Sequence, residues 1–182
     1  MPLKTPQGKF QYKDICVMMS CSFIKNSFVL RLQGSEVGLT QLAIDLAGNG
    51  MGTAENIAPH EEMECLRVAR HHLENYLAGQ PYDFSEIPLD LTALSPFRQL
   101  VLNHIRAHLG HGKIMSYSEL AAKVGRPGGA RAIGSVMATN PLPIIIPCHR
   151  VVGARGKLGG YSGGEGLATK IYLLNQLEGH SF

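Results

Sequence analysis

The chain has 182 residues, 45% of them apolar and 17% charged, with a formal net charge of +3. That length can bury one substantial core or two small ones, and no stretch is apolar enough to span a bilayer, so no membrane partner is expected. Residues Met1–Gln7 lack the apolar core of a secretory signal, and the four cysteines Cys16, Cys21, Cys65 and Cys148 follow no disulfide framework, so a reduced, cytoplasmic setting (nuclear in a eukaryote) is expected. Cys16 and Cys21 have no nearby Cys or His pair to complete a metal site, and none is expected. The charge is unevenly spread. Residues 1–94 carry seven Lys/Arg against eleven Asp/Glu, a net −4, whereas residues 95–182 carry ten against three, a net +7. A basic C-terminal half is the half expected to meet a polyanion.

Residues 16–24 and 27–32 read as two strands around Lys25-Asn26, a hairpin, and residues 37–44 as a third strand. Ala47 to Thr53 is a loop. From Glu61 to Leu77, Met63, Leu66, Ala69, Leu73 and Leu77 recur at helical spacing, and Gly79 ends the run. Cys65 belongs to the packing of that helix. The adjacent His71 and His72 cannot share a helix face, which argues against a metal role. Strands followed by a helix predict a small α/β unit with an antiparallel sheet over residues 1–88.

Pro81 to Ala93 reads as a linker, and after it the composition changes. Ser95-Pro96 is a helix start, with Phe97, Leu100, Val101, His104, Ile105 and Leu109 along one face and Gly110 and Gly112 at its end. Ser116-Tyr117-Ser118-Glu119 is a capping box opening a short helix that ends at Gly125. Arg126 to Gly129 is a turn, and Ala130 to Ala138 the next helix. Two short helices about a glycine-containing turn read as helix-turn-helix. In the second, Ala130, Ala132, Gly134 and Ser135 are small and Arg131 is the only charge. A major-groove reader carries several long polar side chains. Small residues instead allow close backbone approach, which suits a minor groove or simply a tightly packed core helix.

The stretch Ile144-Ile145-Ile146-Pro147-Cys148-His149-Arg150-Val151-Val152 carries the chemistry. Three isoleucines predict a buried extended segment, and Pro147 ends it so that the chain turns at Cys148. This sets a thiol at the lip of an apolar floor beside an imidazole and a guanidinium, groups that favour the nucleophilic thiolate. Gly153 to Gly166 is a glycine-rich loop holding Tyr161 and Ser162, and Leu167 to Leu177 a final helix with Leu167, Ile171 and Leu174 inward. The fold class is therefore α+β, with a mostly helical C-terminal unit over residues 89–182.

Asn140-Pro141-Leu142-Pro143 followed by the isoleucines and Pro147-Cys148-His149-Arg150-Val151-Val152 resembles the active-site signature of the O6-alkylguanine-DNA alkyltransferases. Gly159-Gly160-Tyr161-Ser162-Gly163-Gly164 and Pro88-Leu89-Asp90-Leu91 are similar to that family too, and the likeness is clear from about Leu73 onward. The resemblance implies direct reversal of DNA damage in one turnover. Double-stranded DNA is bound through the minor groove, O6-alkylguanine is flipped out, and its alkyl group moves to Cys148, with O4-alkylthymine left open as a second substrate. It implies His149 as base through a water, Asn140 as hinge, Tyr117 as donor to the guanine ring and Ser162 as donor at O6. Tyr161 is implied as pocket wall and the carbonyls of Cys148 and Val151 as acceptors. Arg131 is implied to fill the gap in the stack, against a plain phosphate contact. No cofactor is required, and a monomer is expected.

One departure from the family pattern stands out. There a glutamate follows three residues after the second of two leucines; here Leu177 takes that place after Leu173-Leu174, and Glu178 comes one later. Glu178 is expected to orient His149 through a local adjustment of the last turn. Three other readings compete. A regulator would use only the helix-turn-helix, a cysteine hydrolase would use Cys148 and His149 over many turnovers, and a DNA-binding relative would transfer nothing.

Overall fold

A computed structural model describes residues 16–22, 27–46 and 64–182, with the backbone alone described for residues 16–22, 27, 28 and 46. Three antiparallel strands, β1 (Cys16–Ser22), β2 (Ser27–Gly34) and β3 (Leu39–Leu46), form a sheet in sequence order. Ser22 faces Ser27 and Leu32 faces Leu42. Period-two alternation puts Leu30, Leu32, Leu42 and Ile44 on one buried face. The expected turn at Lys25-Asn26 and the loop Ala47–Thr53 lie outside the described residues, as does Met63.

The third strand starts two residues later than its hydrophobic pattern suggests. Ser35 N–H donates to the Gly38 carbonyl at 2.8 Å, and this turn leaves Val37 63% exposed. A Cβ on Gly38 would come within 2.5 Å of the Pro88 backbone, so only glycine lets the two chains approach. That approach allows Leu39 to donate to Pro88 O and to accept from Asp90 N, each at 2.8 Å. The predicted linker is thereby pinned to the sheet edge. Arg106 adds a second clamp, its Nη2 reaching the carbonyls of Phe84, Ser85 and Ile87.

Helix α1 (Glu64–Leu77) lays Leu66, Ala69, Leu73, Tyr76 and Leu77 against the sheet, with Cys65 beside Gly34. Each fully buried leucine contributes about 1.5–3 kcal/mol. His71 is exposed, while His72 is buried and meets the Tyr82 ring edge-on at 4.8 Å.

Helix α2 (Pro96–His108) begins at Pro96 as expected, but the Ser95 side chain makes no capping bond. Its buried face is Val101, Leu102 and Ile105, running on to Leu109. The predicted stripe through Leu100 is displaced, and Leu100 is 52% exposed. Apolar residues at 97, 100, 101, 102, 105 and 109 offer two overlapping stripes, and the elements packed against the helix select between them. The short strand β4 (Met115–Ser116) leads into α3 (Tyr117–Lys123), whose capping box is complete in both directions. A turn with Gly125 and Gly128 at positive φ joins α3 to α4 (Ala130–Ala138), and these two helices pack together. Arg126 stacks its guanidinium 4.4 Å above the Phe97 ring.

The remaining elements are a 3-10 turn at Cys148–Arg150, the strand β5 (Val151–Val152) and the last helix, α5 (Leu167–Tyr172), which runs into a π turn at Leu173–Leu177. Strand β5 pairs in parallel with β4, Met115 against Val151, a pairing that two-residue strands do not announce in sequence. On the last helix Leu167 is 44% exposed, and the buried side chains are Thr169, Lys170, Leu173, Leu174 and Leu177 instead of the predicted Leu167–Ile171–Leu174 row. Among the described residues no helix is long and apolar enough to cross a membrane, and no group of three or more His, Cys, Asp or Glu converges as for a metal.

Candidate active site

Everything at the site depends on how residues 140–150 turn. The isoleucines are buried as expected, yet they are not extended. Ile144 takes φ 71°, a left-handed conformation that costs a β-branched residue strain. Ile145 N–H donates to Pro143 O at 2.9 Å and Ile146 N–H to Leu142 O at 2.8 Å, so the run is a coil of tight turns. Pro143 and Pro147, four apart, keep this run from pairing as a strand, because prolines donate nothing. Asn140 holds the coil closed. Its Nδ2 donates to Ile146 O at 2.8 Å and its Oδ1 accepts from Leu142 N–H at 3.0 Å, both buried. From outside, β3 braces the same hinge through Leu42 N–H to Pro141 O at 2.8 Å.

Cys148 then opens the 3-10 turn, 3% exposed. Burial pushes its thiol up; the Asn140 side chain, hydrogen-bonded to it, and the charge of Lys170 oppose that rise without cancelling it. Of the two neighbours expected to favour the thiolate, His149 does so through a backbone hydrogen bond, whereas Arg150 spends its guanidinium elsewhere. Its Nε and Nη2 grip Glu178, and its Nη1 donates to Leu109 O at 2.6 Å.

His149 is fully buried and its Nε2 lies 2.8 Å from Glu178 Oε1. Burial alone would raise the Glu178 carboxyl, but hydrogen bonds from His149 and Arg150 outweigh it, and the group stays well below the usual carboxylate range. An ionised carboxylate only accepts, so Nε2 carries the hydrogen. Burial also lowers the histidine against the pull of Glu178, so the ring is neutral and its buried Nδ1, without a partner, keeps a free lone pair. An imidazole oriented by a carboxylate thus lies one residue along the chain from a buried thiol, a set of groups able to supply a nucleophile, a base and an orienter.

Glu178 reaches this position because of the π turn. On an α-helix, residues four apart stack on one face. Leu173 and Glu178 are five apart, and an i→i+5 turn brings them back onto one face. Gly179, at φ 73°, then lets His180 N–H return to Leu174 O at 2.9 Å.

The other predicted residues divide into two groups. Tyr117 and Tyr161 lie near the sulfur. Both phenols are raised, by burial first and then by the Cys148 charge. The Tyr117 hydroxyl would lie 2.7 Å from a Cβ on Gly159, which explains glycine there, and the buried Tyr161 hydroxyl has no partner. Val151 is buried and its carbonyl already accepts from Lys170 Nζ at 2.7 Å. The Cys148 carbonyl accepts from Val151 N–H. Arg131, at the start of α4, and Ser162, on the glycine-rich loop, are both exposed. That loop is fastened to the sheet, Gly164 N–H donating to Ile44 O at 3.2 Å.

Sequence reasoning missed Lys170 and Tyr76. Lys170 is 0% exposed and is the cation whose charge acts on Cys148. Its signal was a lone lysine three and four residues before Leu173 and Leu174 on the inward face. Tyr76, on α1, donates its hydroxyl to Glu178 Oε1 at 2.8 Å across 102 residues of sequence.

A family model described as "6-O-methylguanine DNA methyltransferase, DNA binding domain" matches residues 96–179. The chain is 35% identical over 161 residues to the human methylated-DNA–protein-cysteine methyltransferase, covering 83% of this chain and 75% of that protein. With the Mycobacterium leprae protein of the same name it shares 45% identity over 108 residues, 59% of this chain and 62% of the relative. Its fold is similar to the crystal structure of Mycobacterium tuberculosis OGT in complex with DNA, with a TM-score of 0.62 and 34% identity over 81% of this chain and 85% of that one. The fold alone is also shared with the O6-methylguanine-DNA methyltransferase of Pyrococcus kodakaraensis, at a TM-score of 0.61 and 22% identity over 91% and 100% of the two chains.

Proposed function

The chain belongs to the methylated-DNA–protein-cysteine methyltransferase family, and from that premise we propose that it repairs DNA by one irreversible transfer of an alkyl group from O6-alkylguanine to Cys148 Sγ. The observation that carries this reading is the buried thiol of Cys148 next to a neutral His149 held at 2.8 Å by Glu178. The thiol proton passes through a water to His149 Nδ1. Sulfur attacks the alkyl carbon, the S–C bond forms as the C–O6 bond breaks, and guanine leaves as an anion. Tyr117 gives that anion a proton and regains one from solvent. No group at the site can cleave the thioether, so each molecule acts once. O4-alkylthymine would react by the same displacement at a slower rate, because the pocket's carbonyl acceptors have no amine to receive.

A guanine must leave the stack to reach a buried sulfur, at a cost of roughly a few kcal/mol. Helices α3 and α4 act as a helix-turn-helix whose small residues, Ala130, Ala132, Gly134 and Ser135, enter the minor groove. Arg131, exposed at the head of α4, fills the vacated space. Tyr161 walls the pocket, Ser162 approaches O6, and Asn140 keeps the hinge that presents Cys148. The carbonyls of Cys148 and Val151 receive the exocyclic amine; the Val151 oxygen can do so with its second lone pair, beside Lys170. The protein works as a monomer.

Incubation with duplex DNA containing O6-methylguanine, followed by intact and peptide mass measurement, tests the reading. The expected product is heavier by one methylene, on Cys148, with no further turnover, and Cys148→Ser should still bind DNA. Methylation at Cys16, Cys21 or Cys65, or repeated turnover, would overturn it.

A further inference from the structure

Three residues donate to Glu178 Oε1. Two belong to the 3-10 turn itself, His149 through Nε2 at 2.8 Å and Arg150 through Nη2 at 2.8 Å and Nε at 3.1 Å. The third is Tyr76, which belongs to α1 in the acidic half of the chain and packs on the sheet. Its side chain is fully buried, with the ring edge-on to Phe84 at 5.5 Å and to His111 at 6.4 Å. The hydroxyl is aimed by the backbone of α1, on whose buried face Tyr76 lies. Tyrosine at an inward helix position normally spends its hydroxyl on a nearby carbonyl or on water. Here the hydroxyl spans two parts of the fold to meet the carboxylate that orients the histidine.

We infer that Tyr76 is a positioning residue for alkyl transfer: its hydroxyl fixes Glu178 Oε1, so that α1 forms part of the relay from Glu178 to His149 to Cys148. The inference rests on the proposed function for its chemistry but on the contact alone for its geometry. The physical reason is the direction of the oxygen. A carboxylate gripped only by Arg150 can pivot about that bidentate contact, and each pivot lengthens the bond to His149 Nε2. A third donor from a rigid helix removes the freedom, as outer-shell hydrogen bonds do for other oriented imidazoles. The phenol suits this role because burial, and then the Glu178 charge, keep it protonated far above neutrality. The charged and titratable groups around this cluster are His149 and Arg150 from the 3-10 turn, His111 beside the Tyr76 ring, Tyr161 from the glycine-rich loop and Lys170 from α5.

The test compares Tyr76→Phe with Phe84→Leu. The first removes one hydroxyl and keeps the ring; the second loosens the same packing without touching Glu178. Three measurements are made on the full chain. They are the His149 ring titration by NMR, the pH profile of Cys148 alkylation by iodoacetamide, and the single-turnover rate on O6-methylguanine duplex DNA. Without the phenol donor the carboxylate pivots and its bond to His149 Nε2 lengthens, so the His149 titration should move downward in Tyr76→Phe and the alkylation profile, with less imidazolium to support the thiolate, to higher pH. The transfer rate should fall roughly tenfold, the worth of one hydrogen bond to a charged group, with DNA affinity unchanged. Phe84→Leu should lower thermal stability and leave both profiles in place. Equal shifts in the two variants, or none in Tyr76→Phe, would reduce Tyr76 to a packing residue. The NMR and iodoacetamide arms need no DNA. A wild-type protein that fails on methylated DNA would therefore refute the proposed function while these two arms still decide the role of Tyr76.

Discussion

The sulfur of Cys148 is poised by opposing effects of unequal size. Burial raises its pKa, and the Asn140 hydrogen bond and the Lys170 charge bring it part of the way back. Alkylation by a small thiol reagent should therefore climb with pH to a midpoint above the ordinary cysteine value of about 8.5. Lys170→Met removes one lowering influence and should push the midpoint higher; a midpoint that dropped or held would exclude Lys170 from the electrostatics of the site. The same lysine donates to Val151 O, so its loss should also loosen β5. Glu178→Gln tests the other side of the imidazole. An amide cannot stabilise an imidazolium as a carboxylate does, so His149 should titrate still lower and the transfer rate should fall. Unchanged rates and titration in Glu178→Gln would remove that residue from the mechanism.

At the scale of elements, two local devices set side chains. The π turn at Leu173–Leu177 restores the face that one additional residue would rotate away by roughly 100°. Deleting Gln176 should let the turn close as ordinary α-helix with the glutamate again near His149 and transfer retained. Inserting alanine after Gln176 should swing the carboxylate off the histidine and stop transfer. A single-turnover assay on both variants distinguishes them, and equal activity would show that the turn is incidental. The capping box does similar work for Tyr117, the first residue of α3. Ser116 Oγ accepts from Glu119 N–H at 3.1 Å while Glu119 Oε2 accepts from Ser116 N–H at 2.8 Å. Ser116→Ala should cost about 1 kcal/mol of stability, read from denaturant melts.

At the scale of the molecule, the acidic and basic halves divide labour. Residues 95–182, net +7, contain both α3–α4 and the thiol, so DNA affinity should fall steeply with salt and depend little on sequence. Arg131→Ala separates two roles. A gap-filling arginine predicts slow repair of duplex but normal reaction with free O6-benzylguanine, whereas a phosphate contact lowers the salt slope by about one without a flipping defect. The acidic half contributes structure to the same site, through Leu42 to the hinge, Ile44 to the glycine-rich loop and Tyr76 to Glu178. Acid should dismantle this arrangement. Glu178 is held low in the fold, so its contribution is present above the ordinary carboxylate range of about 4.3 and lost as pH falls through the folded value. His149 is also lowered, so below about 6.5 the unfolded chain takes up a proton that the folded chain refuses. Both effects have the same sign, and the thermal midpoint should fall steadily from neutrality toward about pH 4.

What the amino-acid order determined by itself was local or compositional. The strand alternation, the span of α1, the capping box, the small residues of α4 and the Pro-Cys-His-Arg stretch all follow from neighbours within a few positions. The charge division needs only counting. Tertiary structure decided whatever depends on which distant groups become neighbours. The isoleucines read as a strand because β-branched runs favour one, yet Asn140 and two prolines coil them. The inward stripes of α2 and α5 were chosen among overlapping alternatives by the elements that cover them. Arg150 could not be separated from the thiol in sequence, because its partners Leu109 and Glu178 lie 41 and 28 residues away. Tyr76 is the extreme case, since nothing near it in the chain signals a carboxylate 102 residues on. Periodicity reports which side of an element avoids water, whereas the partner met on that side is set by the packing of the whole chain.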